Sequence, residues 1–243
     1  MIIFLYGTDG YRIKENVDTV VGAYRKKHQS GMSFYRFDFD GKDKFDDLAN
    51  TVKSVSFFDE TKLVIIKNIF SGGYSYFSEL KTLINDFKIA DDPPSHPPSS
   101  KTSDGHCKAT DGQSKKTVLV FAENKTGDEL KKLSKDLFSV LSSKNNLVKE
   151  VEPLSGTKLS NWVKNKFKEN GHNVSPPVAG LLIDTVGNDS WALANEIEKL
   201  SNYTGLTSIV TGKDINLLVS RKEENKIFDL IDAVGNQNKA KAF

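Results

Sequence analysis

Apolar residues recur along the first 150 positions of the chain in two patterns, and the two patterns alternate. Short runs that are continuously apolar, such as residues 63–66 and 118–121, predict strands buried on both faces of a parallel sheet. Between these runs apolar residues recur every three or four positions, which predicts helices with one buried face. The alternation predicts an α/β domain with helices on both faces of a mostly parallel sheet. Predicted strands span residues 2–6, 34–39, 63–66, 117–122 and 147–151, and predicted helices span 13–27, 45–55, 76–87 and 129–141.

From Pro153 onward the pattern is helical only. Apolar stripes at helical spacing, separated by stop signals such as Gly187, predict a small helical domain at residues 153–222. Residues 223–243 hold a further amphipathic segment, so we expect them to begin a third, helical domain that the chain end truncates. The predicted α/β domain accordingly spans residues 1–152.

Residues 90–116 interrupt the α/β pattern with Pro, Ser, Thr, Gly and Lys and with few aliphatic side chains. Such a composition cannot offset the entropy of ordering, so we expect a disordered surface insertion. The insertion contains His96, His106 and Cys107, but their spacing matches no standard zinc pattern and a fourth ligand is missing. We therefore predict no metal site.

The composition argues against several classes of protein. The net charge of +2 is small for a chain of 243 residues, which argues against binding to nucleic acid or anionic membranes through overall charge. The single cysteine leaves no internal disulfide and fits a reducing compartment. Because no apolar run approaches the roughly 20 residues of a membrane span, we expect a cytoplasmic protein without a membrane partner.

The first predicted strand, its loop and the following helix have the layout of a phosphate-binding site. A working P-loop needs Gly-x4-Gly-Lys-Ser/Thr, in which backbone amides cradle the phosphates and the lysine neutralises their charge. Here Gly7 is followed by Thr8, Asp9 and Gly10, the Gly-Lys-Ser/Thr core is absent, and Asp9 would repel a phosphate. We therefore interpret Gly7 and Gly10 as an ordinary strand-to-helix turn, and we predict no nucleotide cofactor and no catalytic residue.

Phe57 and Phe58 stand between the helix at 45–55 and the strand at 63–66. If the helix continued through them, each ring would point about 115 to 145° away from the centre of the apolar stripe, toward solvent. Exposed rings of this size indicate a partner that buries them. Alternatively, the helix ends by Ser56 and both rings turn into the core, and the apolar pattern leaves both alternatives open.

The remaining candidate residues have ordinary structural interpretations. Glu123 is interpreted as a solvated strand end, and the four histidines, His172 among them, are expected to be exposed. Trp162 and Trp191 lie on apolar helical faces and are expected in the core. A solvated helix face is the interpretation for the three lysines that could otherwise contact a phosphate backbone, Lys131, Lys132 and Lys135.

Several motifs, in this order, resemble the delta subunit family of the bacterial DNA polymerase III clamp loader. The motif at 187–200, Gly-Asn-Asp-Ser-Trp-Ala-Leu-Ala-Asn-Glu-Ile-Glu-Lys-Leu, is the most specific, and the ordered set carries more weight than any one member. The resemblance spans nearly the whole chain. The other matching motifs are residues 4–11, residues 54–58 before the strand at 63–66, residues 159–163, and residues 228–234 followed by 239–240.

The resemblance implies an AAA+-type α/β domain without Walker motifs, followed by a small all-helical lid domain, and no ATP hydrolysis by this chain. It implies a subunit that binds the sliding clamp (beta) and helps to open it for loading onto primed DNA during replication. The other implied partners are the clamp-loader subunits gamma/tau and delta prime, within a holoenzyme that is a DNA-directed DNA polymerase. The implied clamp-binding residues are Val55, Ser56, Phe57 and Phe58.

Two departures from the family pattern and two other functions stay open. The insertion at 90–116 is not part of the pattern, and most of the collar domain, the family's third domain, is missing from this chain. An ATPase with a degenerate P-loop would bind ATP and turn it over. A DNA-binding module would bind with an affinity that falls steeply with salt, and the nearly neutral charge argues against it.

Overall fold

The computed structural model describes residues 1–28, 31–41, 43–54, 61–71, 76–91, 117–205 and 209–220. The chain divides into two compact units, Met1–Glu152 and Pro153–Phe243, called unit 1 and unit 2 below. The part of the predicted insertion from 92 to 116 lies outside the described residues, and so does the predicted third domain at 223–243.

Unit 1 is built on a five-stranded sheet in which each neighbouring pair of strands is parallel. The strands lie side by side in the order β2-β3-β4-β1-β5. In chain order they are β1 Ile2–Tyr6, β2 Phe34–Asp38, β3 Lys62–Lys67, β4 Thr117–Glu123 and β5 Leu147–Glu150. The helices of this unit are α1 Gly10–Lys27, α2 Phe45–Lys53, α3 Phe77–Asp91, α4 Gly127–Leu133 and α5 Lys135–Leu141. The predicted α/β class with a parallel sheet is confirmed.

Each face of the sheet carries its own apolar core, because successive side chains of a strand point to opposite faces. Phe4, Ile66 and Phe121 pack with residues of α2 to α5 on one face. Ile65 and Val120 pack with residues of α1 on the other face. Strands β3 and β4 are therefore buried on both sides, which explains why their sequences are continuously apolar rather than alternating.

The predicted helix at 129–141 is two helices. Ser134 ends α4 and begins α5, where its hydroxyl accepts a hydrogen bond from the Leu137 amide at 3.2 Å. Leu130 and Leu137 are both buried, so the break does not remove either half from the core. The apolar period alone predicts one continuous helix because both halves have the same spacing of leucines.

Helix α2 ends at Lys53, and the next residue, Ser54, is extended with φ −62° and ψ 143°. The helical phase of α2 therefore does not reach Phe57 and Phe58. Of the two alternatives left open by the sequence, a continuous α2 through both rings does not hold, and the positions of Phe57 and Phe58 lie outside the described residues.

Unit 2 is helical in its described residues, as the loss of strand patterns after Pro153 predicts. Its four described helices are α6 Gly156–Glu169, α7 Pro176–Val186, α8 Ser190–Thr204 and α9 Gly212–Leu218. Asp189 caps α8 by accepting hydrogen bonds from the amides of Trp191 and Ala192. Among the described helices of both units, none is long and apolar enough to span a bilayer.

Two aromatic residues of unit 2 lie where the apolar pattern does not place them. Trp191 was expected in the core but is 48% exposed, because it lies about 120° around α8 from the stripe that contains Leu193 and Ile197. His172 was expected at the surface but is buried, and its Nδ1 lies 3.3 Å from the Thr204 hydroxyl. Trp162 is half-buried against the core of unit 2.

Candidate functional site

The loop that joins β1 to α1 lies at the carboxyl edge of the sheet, where a P-loop would bind phosphates. Its backbone amides are already used within the protein. The Gly7 amide donates to the Glu123 carbonyl at 3.2 Å, and the Asp9 amide donates to the Val151 carbonyl at 3.2 Å. These hydrogen bonds direct two loop amides toward protein carbonyls rather than toward a ligand.

Val151 fills the space directly against Gly7. A Cβ atom added to Gly7 would lie 2.1 Å from the Val151 carbonyl oxygen, a distance that real Cβ atoms do not reach. Gly7 also has φ 145°, a backbone conformation that disfavours any other residue. A glycine is therefore required here by the close approach of β5 and its following residue, which is consistent with the predicted structural turn.

Asp9 occupies the electrostatic position that a phosphate would take at the N-terminus of α1. Its side chain is buried and accepts a hydrogen bond from the Arg12 amide at 3.1 Å. The Arg12 guanidinium lies 3.7 Å from the same carboxylate and also donates to the Glu152 carbonyl at 2.8 Å. A fixed negative charge at a helix N-terminus is stabilised by the helix dipole, and it repels a second anion.

Glu123 ends the central strand β4 and is 1% exposed, so its interpretation as a solvated strand end was wrong. Its Oε1 accepts a hydrogen bond from the Ile69 amide at 2.6 Å, in the turn that follows β3. Its Oε2 is buried without a hydrogen-bond partner among the described residues. Burial raises the pKa of Glu123 to about 8, although the backbone hydrogen bonds from Ile69 and Phe70 favour the charged form.

The end of β3 carries no carboxylate that could hold a metal beside a nucleotide. Asn68 has φ 55°; its amide donates to the Ala122 carbonyl at 3.1 Å, and its side chain donates to the Asp38 carboxylate at 2.9 Å. Within the ranges that the structure describes, no group of three or more His, Cys, Asp or Glu side chains could bind a metal ion.

The four predicted clamp-binding residues, Val55, Ser56, Phe57 and Phe58, lie outside the described residues. The residues on either side of this segment are described, and a buried lysine joins them. Nζ of Lys62, in the first position of β3, donates to the carbonyls of Thr51 and Ser54, both at 2.5 Å. Burial lowers the pKa of Lys62.

The ammonium of Lys62 pairs with carbonyls at the C-terminal end of α2, so one side chain joins β3 to the end of that helix. The apolar pattern does not reveal this contact. Only the unusual position of a lysine directly before a continuously apolar strand points to it.

The sequence of the chain is similar to that of one family of known proteins. Residues 4–86 match the family model described as DNA polymerase III, delta subunit. A curated relative, DNA polymerase III subunit delta of Bacillus subtilis (strain 168), is 23% identical over 241 residues, which cover 98% of this chain and 62% of the relative. The chain thus spans less than two thirds of the length of that relative.

Several solved structures have a fold similar to that of this chain. The Bacillus subtilis DNA clamp loader delta protein has a TM-score of 0.58 at 22% identity, over 99% of this chain and 64% of that one. Domain III of the Thermotoga maritima replication initiation protein DnaA has a TM-score of 0.54 at 16% identity, over 89% and 82%. The Thermotoga maritima RuvB Holliday junction branch migration motor has a TM-score of 0.56 at 13% identity, over 97% and 68%.

At these identities the structural matches show the fold, and it is the fold of P-loop-like proteins. The family model and the curated relative add sequence similarity to it. The sequence and fold comparisons therefore confirm the resemblance that the ordered motifs predict: the chain is similar to the delta subunit of DNA polymerase III.

Proposed function

We propose that the chain is a non-catalytic clamp-loader subunit that binds the sliding clamp and helps to open it for loading onto primed DNA. The observation that carries the proposal is the closed corner at Gly7, Asp9 and Val151, in a chain related to the delta subunit. A P-loop-like scaffold whose phosphate-binding amides donate to its own carbonyls is poorly suited to hydrolyse ATP. It remains suited to present a surface to a partner.

The clamp contact in this proposal is made by Val55, Ser56, Phe57 and Phe58. Two adjacent aromatic rings fit the usual pattern of an interface in which a few buried side chains carry most of the affinity. The bonds from Lys62 to the end of α2 support this assignment, because they fix the described residues that flank the proposed contact.

The remaining partners follow from the same proposal. The chain assembles with the gamma/tau and delta prime subunits, reaches primed DNA as part of that complex, and works in the cytoplasm. ATP hydrolysis in this scheme is carried out by other subunits of the complex, and the polymerase activity of the holoenzyme resides elsewhere.

The proposal is tested by two titrations of the purified chain, one with the sliding clamp and one with ATP. Calorimetry without nucleotide should show saturable binding to the clamp, and this binding should be unchanged by added ATP. ATP itself should show neither micromolar affinity nor turnover. Nucleotide binding with hydrolysis, together with no binding to the clamp, would instead favour a degenerate ATPase.

A further inference from the structure

A strongly basic stretch of unit 1 plays no part in the function proposed above. Residues 19–37 contain four Arg or Lys residues and no Asp or Glu, although the chain as a whole is nearly neutral. Three of the four, Arg25, Lys26 and Lys27, form the last turn of α1, and all three are exposed. The fourth, Arg36, is exposed on β2, which is an edge strand of the sheet.

Two of these cations converge on one aromatic ring. The Arg25 guanidinium carbon lies 5.6 Å from the centre of the Phe34 ring, and that of Arg36 lies 5.0 Å from the same centre. Phe34 is half-buried against the core that α1 shares with the sheet, and Tyr24 packs 6.2 Å from it. The ring is therefore a half-buried platform that both guanidiniums contact.

No carboxylate in the described ranges neutralises this pair. None of the salt bridges among the described residues involves Arg25 or Arg36. The two guanidiniums carry like charges, and contact with the Phe34 ring favours each of them. The helix dipole favours cations at the end of α1, which accounts for Arg25 to Lys27 but not for Arg36 on the strand.

We propose that Arg25, Lys26, Lys27 and Arg36, on the Phe34 platform, form a direct binding surface for the phosphate backbone of DNA. Planar guanidiniums suit phosphate oxygens, and a repeating phosphate can satisfy several cations without any contact to a base. The choice of DNA as the polyanion rests on the proposed function, in which the chain works at primed DNA. A direct contact with DNA goes beyond the proposed function, in which the chain reaches DNA only as part of the complex.

The surface is tested by fluorescence anisotropy of the full chain with a labelled 20-nucleotide DNA, single-stranded and duplex, over a range of salt concentrations. The variant Arg25→Gln/Arg36→Gln should weaken binding roughly tenfold at low salt. It should lower the slope of log affinity against log salt by about two, one for each lost phosphate contact. Arg25→Lys/Arg36→Lys, which keeps both charges, should retain most of that slope.

The matched control is Lys131→Gln/Lys132→Gln, which removes the same charge from another exposed helix of unit 1. It should change affinity less than twofold. The surface is excluded if both glutamine pairs weaken binding equally, if neither does, or if wild type fails to bind DNA at low salt. Polyglutamate that competes as well as unlabelled DNA would assign the surface to an acidic protein instead. Clamp binding by Arg25→Gln/Arg36→Gln should stay at the wild-type level, so a failure here is separable from a failure of the clamp proposal.

Discussion

Replacement of Glu123 by Gln should remove a specific dependence of stability on pH. The carboxyl is 1% exposed at the end of the central strand, and burial raises its pKa from 4.5 to about 8. Gln keeps an oxygen that can accept the hydrogen bond from Ile69, but it cannot titrate. The substitution therefore separates the titration from the hydrogen bond.

The direction follows from proton uptake in the two states. Below pH 4.5 the group is protonated whether the chain is folded or unfolded, and its contribution to stability is fully present. Between pH 4.5 and 8 the unfolded chain releases the proton and the folded chain keeps it, so the free energy of unfolding falls as the pH rises. The interval spans roughly 3.5 pH units at about 1.4 kcal/mol each, which sets an upper bound of about 5 kcal/mol.

The assay must report on the sheet. Both tryptophans lie after Pro153, so their fluorescence reports on unit 2. Hydrogen exchange of β4 peptides, expressed as protection factors from pH 5 to pH 9, measures the stability of unit 1 instead. Wild type should lose protection between pH 5 and pH 9, and Glu123→Gln should lose less. The stability of the variant relative to wild type should therefore be higher at pH 9 than at pH 5. Parallel profiles for the two proteins would refute the buried titration.

Two further predictions concern the closed corner. Gly7→Ala forces a Cβ against the Val151 carbonyl and should destabilise unit 1 by about 3 kcal/mol in hydrogen exchange. Gly22→Ala, whose Cβ meets no atom within 4 Å inside α1, should be neutral or stabilising by up to about 1 kcal/mol, and equal effects of the two would contradict the close packing. Asp9→Ala removes the cap of α1 and should cost about 1 kcal/mol. In calorimetry Asp9→Ala should still not bind ATP, because the loop amides stay bonded to protein carbonyls, and recovered binding would show that Asp9 alone excludes phosphate.

The sheet of unit 1 could be predicted because its central strands are buried on both faces and therefore read as unbroken apolar runs. The helices of unit 2 could be predicted because their capping residues lie next to them in the sequence, as Asp189 does before α8. Local signals of this kind depend on residues within one turn of each other, and so they are visible in the chain order.

The residues that were interpreted wrongly depend on distant contacts or on phase. One oxygen of Glu123 accepts a hydrogen bond from an amide 54 positions away in the chain, and this cannot be derived from an apolar run that ends in a carboxylate. Lys62, for which no prediction was made, also depends on residues outside its own strand, because its carbonyl partners lie at the end of the preceding helix. The prediction for Trp191 was wrong for a different reason: its apolar character was given more weight than its angular position on α8.

The central claim is that a scaffold closed to phosphate contacts the sliding clamp through Phe57 and Phe58. Its most direct test is the clamp affinity of Phe57→Ala/Phe58→Ala beside that of Leu147→Ala/Val148→Ala, which removes two large side chains from exposed positions on β5. We expect the phenylalanine pair to cost at least about 2 kcal/mol, roughly a 30-fold loss of affinity, and the control pair to bind like wild type. Wild-type affinity in the phenylalanine variant, or equal losses in both variants, would contradict the claim.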